Sequence, residues 1–132
     1  MSMREAKRPV ATSNAPGIVD LSVPRAVRAR DVASKAYRLR GTRNHALGDA
    51  LFSDPAWDML LDLFIAACDG RRLSVTDVCV GARCATATAL RYLQLMLEDG
   101  LVLRAPDRTD GRRVHVLLPQ GTIDKLLDVF DR

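Results

Sequence analysis

Cysteine, histidine, lysine and aromatic residues are all scarce in this 132-residue chain, and each shortage removes a class of function. The three cysteines, Cys68, Cys79 and Cys84, form no C-x-x-C pair, and His45 and His115 complete no zinc-ligand spacing with them. Neither a disulfide framework nor a structural metal is expected, and no cofactor. The cysteines stand among Val, Ala and Leu, where a free thiol behaves as a small core hydrophobe. Aromatics make up 5%, and the single Trp57 sits at helical core spacing, so it reads as core and not as a stacking platform. No nucleophile–base pair or glycine-rich phosphate loop is present, so the chain does not read as an enzyme. No apolar run nears the ~18 residues of a membrane span. The basic N-terminus has no apolar block behind it and is not a secretory signal. A cytoplasmic protein without a membrane partner is expected.

What the chain does have is arginine, unevenly spread. Seventeen of its twenty basic residues are Arg, the side chain suited to bidentate contact with phosphate and guanine. Residues 1–43 carry ten basic and three acidic residues; residues 44–132 carry ten and thirteen. A basic arm on a mildly acidic domain suits nucleic acid. It equally suits an arm that folds against acidic positions of its own chain, such as Asp58, Asp62, Asp124 and Asp128. The 48% hydrophobic content supports one domain of about a hundred residues plus a tail.

Residues 1–24, rich in Pro, Ser and charge, are expected to be disordered. A basic helix is expected over 25–43, with a weak apolar stripe of Val27, Val32, Ala36, Tyr37 and Leu39 and a stop at Gly41; with the loop that follows it spans 25–50. The domain proper covers 51–119. Asp54-Pro55 starts a helix with an N-cap oxygen and a first-turn proline. Trp57, Leu60, Leu61, Phe64, Ile65 and Cys68 recur at three and four residues, and Asp54, Asp58 and Asp62 read as a solvated face. After Gly70, Arg71-Arg72-Leu73 suits a short strand, and Ser74 with Asp77 makes an imperfect capping box for a second helix. Ala82-Arg83-Cys84 is a tight turn into a third helix over 85–99, with core residues Ala89, Tyr92, Leu93 and Met96. Leu101–Leu103 and Val114–Leu117 read as the strands of a hairpin around Pro106–Gly111. A short amphipathic helix closes the chain over 120–132, with Ile123, Leu126, Leu127 and Phe130 on one side.

This order predicts a mainly α chain with a small β-hairpin: a winged helix-turn-helix between flanking N- and C-terminal helices. Over about 54–121, and most specifically in GLVLRAPDRTDGRRVHVLL, the sequence resembles the MarR family of bacterial regulators. The resemblance implies a transcriptional regulator that binds double-stranded DNA as a homodimer. In such a fold the 85–99 helix enters the major groove, with Thr86, Thr88, Arg91 and Gln94 opposite its core stripe as base-reading candidates. The wing over 104–113 lies on the backbone or minor groove. By resemblance Arg112 enters the minor groove, oriented by Asp110, while Arg108, Arg113 and the turn residue Arg83 contact phosphates.

Three features depart from the family pattern. Leu90, Leu95 and Leu97 make the third helix apolar on more sides than groove reading needs. Ala85 stands where a capping Ser or Thr is usual, leaving Thr86 as a substitute. The flanking helices are short, so no small-molecule effector pocket is expected. The leucine-rich 85–99 helix supports an alternative, a winged-helix module that contacts another protein without specific DNA binding.

Overall fold

The computed structural model of the chain describes residues 17–131. Among these, the elements run α1 (Pro24–Leu47), α2 (Pro55–Cys68), β1 (Leu73–Ser74), α3 (Val75–Gly81), α4 (Thr86–Glu98), β2 (Leu103–Pro106), β3 (Val114–Leu117) and α5 (Gln120–Phe130). This is the expected mainly α winged helix-turn-helix with flanking helices. The hairpin is extended by β1, giving an antiparallel sheet in the order β1-β3-β2. Leu73 pairs with Val116, and Leu103 with Leu117.

The core is built around α2. Its start follows from the sequence: Asp54 Oδ1 accepts the Trp57 amide at 3.4 Å behind a first-turn proline. The helix is less one-sided than its stripe suggests. Met59, Leu61, Leu63, Phe64, Ala66 and Ala67 are all buried, while Trp57, Leu60 and Ile65 are half-buried against the same core. Helices α1, α3 and α4 therefore pack directly on α2. Phe130 of α5 closes one end, its ring 5.1 Å from Phe64 and 6.0 Å from Trp57.

Helix α1 departs from expectation in three ways. It continues through Gly41 to Leu47, and Gly48 at φ 83° ends it, its amide bonded to Asn44 O. Gly41 is there for closeness rather than termination, since a Cβ would lie 2.8 Å from Arg83 Nη2. Its buried side is Ala26, Ala29 and Ala33, whereas Val27, Val32 and Leu39 are exposed. Small residues let α1 lie close against α2. Third, the expected disordered stretch 1–24 does not reach α1. Residues 1–16 lie outside the described residues, but Val19 is buried and its amide donates to Ala67 O at 3.1 Å.

The acidic face of α2 is the largest correction. Asp58 is not solvated: it is 1% exposed. Arg40 Nε donates to its Oδ1 and Arg40 Nη2 to its Oδ2 at 3.3 Å, while Arg83 Nη1 lies 3.7 Å from Oδ1. Asp62 is half-buried, and burial raises its carboxyl above the ordinary range against the pull of Arg71 and Arg83. Replacing Asp58 by Ala leaves two arginines without their buried partner. Urea unfolding should show a loss of about 3–5 kcal/mol. A loss under about 1 kcal/mol would mean that both arginines reach water instead.

Candidate nucleic-acid interface

Helix α3 begins with a complete capping box. Ser74 Oγ accepts the Asp77 amide at 3.1 Å, and Asp77 Oδ2 accepts the Ser74 amide at 3.1 Å. A short corner leads into α4, which turns Ala89, Leu93 and Met96 inward with Tyr92 half-buried beside them. The opposite side presents Thr86, Ala87, Leu90, Arg91 and Gln94 to solvent; Thr88 is half-buried. Two of these side chains are braced along the helix. The Arg91 guanidinium lies 4.7 Å from the Tyr92 ring centroid, and Gln94 Nε2 donates to Glu98 Oε2 at 3.1 Å. Ala85 is the N-cap and makes no side-chain cap bond, and Thr86, at the first helical position, supplies none. Of the three leucines, Leu97 packs on the core, while Leu90 and Leu95 are 45% and 48% exposed.

The wing is fastened by its own polar groups. Asp107 Oδ1 accepts the Thr109 amide and hydroxyl, each at 2.8 Å, and the Asp110 amide at 3.1 Å. The Asp107 amide bonds Arg113 O at 2.9 Å, and Arg113 N bonds Asp110 O at 3.0 Å, closing a turn over Asp110–Arg113. His115 Nε2 lies 3.3 Å from Asp107 Oδ2. Arg112 is 94% exposed at the tip, and its Nε donates to Asp110 Oδ1 at 3.3 Å. Arg108 and Arg113 are exposed beside it.

Two exposed arginines near the wing were not singled out from sequence. Arg104 lies on β2, and Arg72 precedes β1 and shares a shallow groove with Arg108 and His115. The Arg71-Arg72 pair directly before a strand was the available signal. Arg83, by contrast, faces inward. It is half-buried, its guanidinium lies 3.6 Å from the Tyr37 ring centroid, and Nη2 donates to Tyr37 O at 2.7 Å. Its guanidinium therefore turns toward α1 and not outward with the wing arginines.

The described part of the basic arm turns largely toward the chain's own acids. Arg25 bonds Asp128 and lies 3.4 Å from Asp131; Arg30 grips Asp69 with two bonds of 2.8 and 3.0 Å. Arg40 serves Asp58. The Arg30 guanidinium holds the Asp69 carboxyl below the usual carboxylate range. Among the described residues, no three His, Cys, Asp or Glu side chains converge as metal ligands, and no helix is long and apolar enough to cross a membrane. Burial pushes the Cys68 thiol up to about 12, which makes it unreactive near neutrality.

No protein-family model matches the sequence, nor does any curated protein. Several solved structures are similar to the chain. A mutant of MepR from S. aureus is 19% identical over 74% of this chain and 69% of that chain, with a TM-score of 0.50. A probable transcriptional regulator from Pseudomonas aeruginosa is 22% identical over 76% and 71%, with a TM-score of 0.47. The heme sensor protein PefR from Streptococcus agalactiae is 15% identical over 78% and 70%, also at 0.47. The chain has a MarR-like winged-helix fold.

The wing carries a pH prediction. Hydrogen bonds from Thr109 and Asp110, with His115 nearby, bring the Asp107 carboxyl down to about 2. A lowered acid stabilises the turn above the ordinary value of 3.8 and loses that effect as pH falls through about 2. In an NMR titration the Thr109 and Asp110 amides should hold their positions down to about pH 4 and shift only toward pH 2. Midpoints near 4 would mean that these bonds do not favour the ionised form.

Proposed function

We propose that the chain is a transcriptional regulator that binds double-stranded DNA, with α4 in the major groove and the 104–113 wing on the backbone or minor groove. The observation that carries this reading is the pairing of an outward α4 face with a preformed arginine-tipped wing beside it. Thr86, Ala87, Leu90, Arg91 and Gln94 offer one guanine-reading cation, one amide for adenine and methyl groups for thymine. Thr88 contributes from the edge of that face. Arg108, Arg112 and Arg113 serve phosphates and the minor groove, and we add Arg104 and Arg72 as phosphate contacts. The α4 amides left without a side-chain cap suit a backbone phosphate at the helix start.

The protein acts in this reading as a binder and not as an enzyme, in the cytoplasm and without cofactor or effector. It works as a homodimer, since two half-sites raise affinity and specificity together. The exposed apolar side chains Val32 and Leu39 of α1 support self-association. A second reading has its own support. Leu90 and Leu95 are exposed on α4 and would suit a protein partner in a winged-helix module without specific DNA binding.

Genome-wide capture of bound fragments, then titration of a recovered duplex and a scrambled control at two salt concentrations, separates the readings. Arg112→Ala should weaken binding to both duplexes by about 1 kcal/mol and flatten the salt dependence, whereas Arg91→Ala should cost about 1–3 kcal/mol on the recovered site alone. No enriched sequence, with weak binding wholly removed by salt, would favour the protein-partner reading.

A further inference from the structure

Arg83 has a backbone that an arginine rarely adopts. Its φ is 56°, and among the described residues no other non-glycine has a positive φ. Glycine would take this conformation without strain, so the side chain must supply something that offsets it. What it makes is two contacts with α1, the stack on Tyr37 and the bond from Nη2 to Tyr37 O, together with an approach of 3.7 Å to Asp58 of α2. Tyr37 answers from the other side, its Oη donating to Gly81 O at 2.8 Å. One residue of α1 thus holds the last residue of α3 and a residue of the corner that follows. Space is cleared for this on α1, where a Cβ at Gly41 would press on Arg83 Nη2.

We propose that Tyr37 and Arg83 form a clasp by which α1 sets the attitude of α4, making both of them positioning residues for the DNA face. The inference rests on the DNA-binding reading above. Its leverage is geometric. Arg91 and Gln94 lie within the first nine residues of α4, so at about 1.5 Å of rise per residue a rotation of about 5° at Arg83 displaces them by roughly 1 Å. A base-edge hydrogen bond does not survive such a shift. Any change in how α1 docks is therefore felt at Arg91 and Gln94, although α1 itself touches no base in this reading.

Three variants test it. Tyr37→Phe keeps the ring under the guanidinium and removes only the bond to Gly81. Arg83→Gly removes the side chain and relieves the backbone, and Arg83→Lys keeps the charge without the planar stack. Urea midpoints establish that each variant is folded. Amide exchange over residues 82–88 should quicken about five- to ten-fold in Tyr37→Phe, with the preference for the recovered duplex over the scrambled one falling by a similar factor. Binding to the scrambled duplex should stay unchanged, since the wing arginines are untouched. Arg83→Gly should lose as much or more despite its relaxed backbone. Faster exchange with the preference intact would overturn the positioning role, as would parental exchange in all three. If the parent shows no sequence preference, the DNA reading fails by itself. The exchange measurement still decides the clasp: faster exchange upholds it and parental exchange overturns it.

Discussion

A buried carboxylate organises this protein. Asp58 faces inward from α2 at a depth where an unpaired charge is not tolerated, so its partners must come to it. Arg40 arrives from α1 and Arg83 from the corner between α3 and α4. The three side chains tie together elements that are far apart in sequence. They specify which face of α1 meets α2 and how far the corner reaches inward. Hydrophobic burial around Phe64 and Met59 contributes most of the driving force, but it is non-directional. The ionic centre adds direction.

The charge distribution takes on a different meaning around that centre. Formally the N-terminal third is the basic part of the chain, and by composition alone it suits nucleic acid. In the folded chain Arg25, Arg30 and Arg40 are engaged with Asp128, Asp69 and Asp58. Among the described residues, Arg72, Arg104, Arg108, Arg112 and Arg113 stay exposed on and beside the wing, although the half of the sequence that holds them is formally acidic. Net charge by segment is a poor guide when salt bridges span a hundred residues, as Arg25 and Asp128 do.

The locally encoded features were legible in the sequence. Asp54-Pro55, Ser74 with Asp77, and the Asp107–Arg113 turn each carry their partners within a few residues, so composition and spacing suffice to place them. The outward residues of α4 followed from its period. What was not legible depends on distant partners. Asp58 looked solvated because Arg40 lies 18 positions away on a helix whose buried side is alanine. Arg83 looked like a phosphate contact because nothing nearby announces Tyr37, 46 residues upstream. Gly41 looked like a helix stop because its reason, room for that guanidinium, exists only in three dimensions.

That last glycine bears on how the sequence can drift. Positions 41 and 83 occupy one volume, so they are not free to vary independently. A side chain at 41 would push the Arg83 guanidinium from its seat against Tyr37, and meets nothing of it once position 83 has shrunk. Positions 62 and 81 form a second such pair. Among descendants of this chain, substitutions at these four sites should become established in linked pairs, and the order in which they arise should matter.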